Sequence, residues 1–140
     1  MITIKENSLT TAQYLAIRQQ VGWKRLKEEQ AEKALKNSLY IVAAYKEDTL
    51  VGMGRIVGDG AVICYVQDLI VVPESQGNGI GSIILSRLTK YVEELRENGS
   101  EMMFCLMCAK GRETFYEKHQ FLARPTSQLG PGMIQYLRDE

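Results

Sequence analysis

Three glycines at alternate positions, Gly77, Gly79 and Gly81, lie between an apolar stretch and the start of a helical pattern. Glycine accepts left-handed backbone conformations and lets the main chain approach a ligand closely. The first turn of a helix has unpaired N–H groups, and the helix dipole adds partial positive charge there. The spacing therefore predicts a loop whose backbone holds a phosphate group. The alternative is a tight strand-to-helix turn that uses glycine for packing.

Two widespread phosphate-binding motifs do not fit this loop. A Walker loop requires a lysine after its last glycine, whereas Ser82 follows Gly81 here. A dinucleotide fingerprint reads G-x-G-x-x-G after an early strand, whereas this loop reads G-x-G-x-G in the middle of the chain. Neither motif fits, so the spacing leaves open a different phosphate ligand or a tight turn that uses glycine for packing.

A second pattern, C-x-x-C at Cys105 and Cys108, could indicate a redox pair or half of a zinc site. Residues 102–108 are predicted to form a buried strand, and residues three apart on a strand point to opposite faces. The chain has no second C-x-x-C, and His119 is its only histidine. We therefore expect buried, reduced thiols and no metal site.

The hydrophobic pattern predicts the elements that position the glycine loop. Strands are expected over 2–4, 39–45, 50–57, 61–72, 102–108 and 133–137. Helices are expected over 10–20, 24–36 and 112–118, and a long helix begins at Ile80 and stops at Asn98-Gly99. This order predicts a mixed sheet flanked by helices, an α+β or α/β fold. A length of 140 residues indicates one domain, 1–140.

Charge and hydropathy exclude several classes of partner. Lys and Arg total 17, as do Asp and Glu, so the chain lacks the electrostatic footprint of a protein that binds nucleic acid or an anionic membrane. No apolar run approaches the roughly 20 residues that span a bilayer. The first residues do not resemble a signal peptide, so a cytoplasmic location is expected.

Two stretches together resemble the GCN5-related N-acetyltransferase (GNAT) family. The first, residues 66–81, ends in Gln76-Gly77-Asn78-Gly79-Ile80-Gly81 and is similar to that family's acetyl-CoA motif, Q/R-x-x-G-x-G/A after a strand. The second, residues 115–121, is similar to its F-Y-x-K-x-G-F helix, although Gln120 replaces the glycine. The resemblance implies a central twisted sheet flanked by helices and acetyl-CoA as the cosubstrate.

The resemblance also implies roles for individual residues. The backbone of Leu69-Ile70-Val71 would pair with the pantetheine arm, and the Leu69 N–H would polarise the thioester carbonyl. Tyr116 would protonate the departing CoA thiolate; a core tyrosine is the alternative. The remaining cofactor-binding positions are the pyrophosphate loop and two residues that flank the cofactor: Gln76, Gly77, Asn78, Gly79, Ile80, Gly81, Ser82, Ala109 and Arg112.

The acceptor side is less determined. The family attacks the thioester directly in a ternary complex, so a base must remove a proton from the amine. Gln67 stands where many members carry that base and cannot act as one. Asp68 would be the base, bind a cationic substrate or make a structural hydrogen bond, and a water chain ending at Tyr65 is a further route. Trp23 would line the acceptor site or belong to the core.

These observations favour an N-acetyltransferase that acetylates the amine of a small molecule. A non-catalytic CoA-binding module and an acetyltransferase for protein lysines or N-termini are the alternatives. Residues 130–133 and Tyr136 would contribute either to the site or to a homodimer contact.

Overall fold

The computed structural model describes residues 1–139. Along the chain, its elements are β1 Ile2–Glu6, α1 Thr11–Gln20, α2 Glu28–Lys36, β2 Tyr40–Lys46, β3 Thr49–Gly58, β4 Ile63–Val71, a 3-10 turn Pro73–Ser75, α3 Ile80–Leu95, β5 Met103–Leu106 and α4 Glu113–Glu117. Among the residues that the structure describes, no helix is long and apolar enough to cross a bilayer.

The five strands form one sheet in the order β1-β2-β3-β4-β5. Neighbouring strands are antiparallel except β4 and β5, which are parallel. The parallel pair is joined through α3, as a parallel connection requires a crossover. The prediction of a mixed sheet flanked by helices is confirmed.

The chain divides into two compact units, one up to Leu106 and one from Met107 onward. The first unit holds the sheet and helices α1 to α3, and the second holds α4 and the C-terminal segment. The single domain expected over 1–140 stays a prediction.

Helix α3 packs directly onto the backbone of β3. A β-carbon added at Gly54 would lie 2.7 Å from Cγ2 of Ile84 and 2.8 Å from Cδ1 of Leu88. At Gly52 it would lie 2.8 Å from Cδ1 of Ile84. Because real β-carbons do not approach this closely, both positions require glycine for α3 to lie where it does.

Helix α1 begins where its capping residues predict. Thr10 and Gln13 form a capping box, in which the Gln13 N–H donates to Thr10 Oγ1 and the Thr10 N–H donates to Gln13 Oε1. Helix α2 begins at Glu28 rather than at residue 24. Residues 23 and 24 are held to α1 instead, because the Trp23 N–H donates to the Arg18 carbonyl and Arg18 Nη2 donates to the Lys24 carbonyl.

Two predictions for the C-terminal half are wrong: the strand over 133–137 and the burial of Cys108. Residues 133–137 form no strand and are exposed, since an apolar pattern forms a strand only where another strand pairs with it. Strand β5 ends at Leu106, so Cys108 lies beyond it and is exposed. Cys105 is partly buried, and among the three thiols only Cys64 is fully buried as expected.

Candidate active site

The loop between β4 and α3 has the backbone that its glycines predict. Gly77 and Gly79 adopt left-handed conformations, with φ of 84° and 79°. A β-carbon at either position would meet no atom of the protein within 4 Å. The glycines therefore serve the backbone conformation rather than the packing, and the space beside them is open to a ligand.

The start of α3 leaves its amides available. Gly79 is the N-cap and makes no side-chain capping bond, and the first helical bond runs from the Ile83 N–H to the Gly79 carbonyl. The N–H groups of Ile80, Gly81 and Ser82 therefore lack an acceptor within the helix. No acidic residue lies in the first turn of this 16-residue helix. The arrangement is electrostatically suited to an anion.

A β-bulge changes the direction of β4 just after its pairing with β5 ends. Arg55 on β3 pairs with Asp68, and the next residue, Ile56, pairs with Val66. Gln67 is consequently the extra residue of the bulge, and its side chain is exposed. Bulges of this kind occur beside active sites, where they redirect side chains.

Beyond the bulge, one edge of β4 presents main-chain groups. The parallel pairing with β5 ends at Val66 and Leu106. The Val72 N–H donates to the Val51 carbonyl at 2.9 Å, so by antiparallel alternation the N–H groups of Leu69 and Val71 point away from β3. The N–H group of Ile70 points toward β3.

Gln76 ties the loop to this edge. Its Nε2 donates to the Val71 carbonyl at 2.9 Å, while Asn78 Nδ2 donates to the Ser75 carbonyl at 3.3 Å. The Val71 carbonyl is thus occupied at the end of the strand. These side chains order the loop, and its backbone amides stay available.

Asp68 lies at the centre of a buried charge cluster. Only 2% of the residue is exposed, and its Oδ2 accepts hydrogen bonds from Tyr14 Oη at 2.6 Å and Arg55 Nε at 2.8 Å. Arg18 Nη1 lies 3.6 Å from Oδ1. One carboxylate therefore faces two guanidinium groups and a phenol.

The partners of Asp68 are themselves held in place. Arg55 also donates to Ser38 Oγ at 3.2 Å. Burial raises the pKa of Tyr14, and the negative charge and hydrogen bond of Asp68 raise it further. The phenol therefore remains a hydrogen-bond donor to the carboxylate across the physiological range.

Sequence reasoning missed Arg18 and Arg55. The available signals were an arginine inside the apolar strand β3, and an arginine four residues after Tyr14, on the same face of α1. The Arg18 guanidinium lies 5.2 Å from the centre of the Trp23 ring, and Trp23 is 39% exposed. Tyr65, another proposed acceptor residue, lies on β4 opposite Val57 and Cys105 and is partly buried.

The second unit carries the proposed general acid. Tyr116 lies on α4, with its ring edge-on to Phe115 at 5.1 Å and to Phe121 at 6.0 Å. Burial raises the pKa of its hydroxyl, Cys108 adds to the rise and Arg112 opposes it. The phenol is therefore protonated at neutral pH.

The turn before α4 contains the two other residues expected at the cofactor. The Arg112 N–H donates to the Ala109 carbonyl at 3.0 Å, and Arg112 is the N-cap of α4. Gln120, which replaces the family's glycine, adopts φ of 73°. The chain thus keeps the left-handed turn at a position where a side chain makes it less favourable.

The loop and the strand edge have the features of a site for an anionic ligand, and comparison with known proteins gives the family. Residues 36–122 match the acetyltransferase (GNAT) domain. The chain belongs to the GNAT acetyltransferase family. GNAT acetyltransferases use acetyl-CoA and act on amine acceptors.

Two solved structures are similar over nearly the full chain. A probable acetyltransferase from meticillin-resistant Staphylococcus aureus is 31% identical, with a TM-score of 0.84 over 97% of this chain and 100% of that one. A GNAT-family acetyltransferase from Streptococcus pneumoniae TIGR4 is 34% identical, with a TM-score of 0.83 over 99% and 100%.

Curated relatives are longer than this chain. An uncharacterized N-acetyltransferase, ycf52-like, of Prochlorococcus marinus is 30% identical over 76% of this chain. The match covers 59% of that relative, so the chain spans about three fifths of its length.

Proposed function

We propose that this protein transfers the acetyl group of acetyl-CoA to the amine of a small molecule, by direct attack within a ternary complex. The observation that carries the proposal is the uncapped, glycine-rich start of α3, which follows directly on the open edge of β4. These two features support the proposal because the start of α3 offers main-chain N–H groups to a pyrophosphate and the β4 edge offers them to a pantetheine arm. Acetyl-CoA supplies the activated thioester.

The loop and the strand are proposed to bind different parts of acetyl-CoA. Amides from Gly77 to Ser82 hold the pyrophosphate, and Gln76 fixes the loop against Val71. The edge from Leu69 to Val71 pairs with the pantetheine amides in the manner of an added strand. The Leu69 N–H, directed away from β3, donates to the thioester carbonyl oxygen as negative charge develops on it.

Tyr116 is the proposed general acid. Its raised pKa keeps the proton on the hydroxyl at neutral pH, and the departing thiolate takes that proton. Ala109 and Arg112 are the proposed cofactor contacts before α4. The proposed setting is a reducing, cytoplasmic one, which the three free cysteines of the described chain support.

For Asp68 we propose a positioning role rather than that of the base. Its two hydrogen bonds to Oδ2 and its ion pair with Arg18 leave the carboxylate fully engaged. The cluster anchors α1 to β4 at the bulge and so fixes the exposed Gln67. The acceptor amine then loses its proton to water near Tyr65 and Gln67, beside a wall that includes Trp23.

The experiment is a panel of amines with acetyl-CoA and a free-thiol readout. The panel covers polyamines, arylalkylamines, amino acids, aminoglycosides and lysine- or N-terminal peptides. Thiol release with a small amine supports the proposal. Release only with peptides would identify a protein acetyltransferase, and CoA binding without release on any acceptor would identify a non-catalytic module.

The pyrophosphate site is tested by Gly79→Glu, which places a negative charge in the open space beside the loop. Calorimetry should show CoA affinity lost while circular dichroism shows the fold retained. Gly99→Glu is the matched control, because Gly99 also has a left-handed φ, of 81°, and no atom within 4 Å of an added β-carbon. Equal CoA affinity in the two variants would show that the loop does not hold the pyrophosphate.

A further inference from the structure

The buried cluster at Asp68 carries more positive than negative charge. Within residues 1–139, Arg18 and Arg55 both direct their ion pairs to this single carboxylate. The Tyr14 ring centre lies 5.6 Å from the Arg18 guanidinium and 5.5 Å from that of Arg55, and a ring face attracts a cation without neutralising it. Because buried charges are normally paired, the cluster is one negative charge short.

Arg18 is the less satisfied of the two guanidinium groups. Arg55 Nε donates to Asp68 at 2.8 Å, whereas Arg18 Nη1 lies 3.6 Å from the carboxylate and 3.5 Å from the Tyr14 hydroxyl. Arg18 Nη2 donates to the Lys24 carbonyl at 3.0 Å, but its Nε is buried and has no acceptor among the described residues. Buried donors without a partner are rare in folded proteins. The Arg18 side chain is also 14% exposed, against 8% for Arg55, so it is the one that an anion from solution can reach.

The end of α1 fixes an aromatic ring beside this guanidinium. Gly22 has a φ of 73°, and its N–H donates to the Gln19 carbonyl. The Trp23 N–H donates to the Arg18 carbonyl, and the two bonds together form a Schellman motif with glycine at its left-handed position. The Trp23 ring lies 5.2 Å from the guanidinium and is partly exposed. A cation and an apolar ring are therefore presented side by side.

We propose that Arg18 binds a carboxylate of the acceptor, so that the acceptor is an amine that also carries a carboxylate, as amino acids do. This inference rests on the proposed acetyl transfer and names its acceptor. The incoming carboxylate supplies the missing negative charge and accepts hydrogen bonds from a guanidinium, the donor group that matches it best. The Trp23 ring contacts the apolar part of the same molecule.

The position of the cluster suits this role. Asp68, beside the Arg18 guanidinium, directly precedes Leu69, whose N–H is the proposed donor to the thioester carbonyl. A carboxylate at Arg18 therefore holds the acceptor near the reacting end of the cofactor. The same excess of positive charge repels the additional ammonium groups of polyamines and aminoglycosides.

Matched acceptors test the carboxylate. The common amino acids and their C-terminal amides are compared with acetyl-CoA and the free-thiol readout, per mole of unprotonated amine. At least one amino acid should show a kcat/KM about 10- to 100-fold above that of its amide, because the amide cannot form charged hydrogen bonds with Arg18.

Arg18→Gln tests the residue. The acid should lose its advantage over the amide in this variant. Because both rates are measured on one preparation, their ratio does not depend on how much of the variant is folded. Arg25→Gln is the matched control, since Arg25 is exposed in the segment between α1 and α2, and it should keep the parent's ratio. An equal loss for acid and amide in Arg18→Gln overturns the inference, because Arg18 then only holds α1 to the sheet.

Calorimetry of the same amino acids with the CoA-loaded protein separates this inference from the proposed function. Binding that Arg18→Gln abolishes, without thiol release from any acceptor, would support the carboxylate site and refute acetyl transfer. Thiol release from amides or simple amines that equals or exceeds release from amino acids would overturn the inference and leave acetyl transfer in place. A protein that neither binds nor acetylates an amino acid overturns the inference as well.

Discussion

Replacing Asp68 with asparagine is expected to destabilise the protein by about 3–5 kcal/mol, as breaking a buried ion pair does. Oδ2 accepts hydrogen bonds from Tyr14 at 2.6 Å and Arg55 at 2.8 Å, and Arg18 lies 3.6 Å from Oδ1. Asparagine keeps the shape but loses the charge. Its NH₂ group, which only donates hydrogen bonds, would face the donors of Tyr14, Arg55 or Arg18. Two guanidinium groups then lack their counter-ion inside a site that is almost closed to water.

Urea unfolding measures this loss, and CoA calorimetry shows whether the loop is affected. Tyr14→Phe removes one hydrogen bond to a charged group and should cost about 1.5–3 kcal/mol. Since both variants affect one cluster, their effects should fail to add in the double variant by about 0.5 kcal/mol or more. Asp48→Asn, in the exposed turn before β3, is the control and should stay within about 0.5 kcal/mol.

One result would refute the positioning role. Suppose that the free energy of unfolding of Asp68→Asn lies within about 1 kcal/mol of that of the parent, yet kcat falls and the acidic limb of the pH–rate profile moves. Asp68 is then the base. An increase in KM alone, with stability and the acidic limb unchanged, would instead indicate a carboxylate that binds a cationic acceptor.

Two further substitutions test tyrosines. Tyr116→Phe should lower kcat by roughly 10²-fold with CoA affinity unchanged; turnover within about twofold of the parent would exclude the general acid, and loss of both stability and binding would indicate a core residue. Burial raises the pKa of Tyr40 from 10.0 to about 12, and the hydrogen bond to Glu6 is the second largest cause of this rise. The folded state therefore holds this proton more tightly, so its contribution to stability is complete below pH 10 and is lost as the pH rises toward 12. Tyr40→Phe should flatten that decline in chemical unfolding, and an unchanged slope would show that another group causes it.

The fold and the backbone conformation of the glycine loop were predictable because their determinants are local. Alternate glycines, a helix with no acidic first turn and the length of each apolar run are all visible in a few neighbouring residues. The Thr10 cap of α1 belongs to the same class. Each of these features depends on backbone conformation, which short sequence patterns report well.

The surroundings of Asp68 were not predictable for the opposite reason. Its partner Tyr14 is 54 residues away in sequence, and the pairing depends on how α1 lies on the sheet. The sequence pattern showed that a charged residue in a buried strand needs a partner, but not which one. Residues 133–137 show a similar limit, because an apolar pattern does not report whether a neighbouring strand is there to pair with it.

The bare backbone of β3 under α3 has a mechanical consequence. With no β-carbon at Gly52 or Gly54, helix and strand touch without a deformable side chain on the strand side. Because close-packed interiors transmit strain, we expect a shift of β3 by a few tenths of an ångström to displace α3 and the amides of its first turn. Hydrogen bonds weaken over that same distance range. We therefore expect substitutions on the far side of the sheet to change the affinity of the proposed pyrophosphate site without contacting the cofactor.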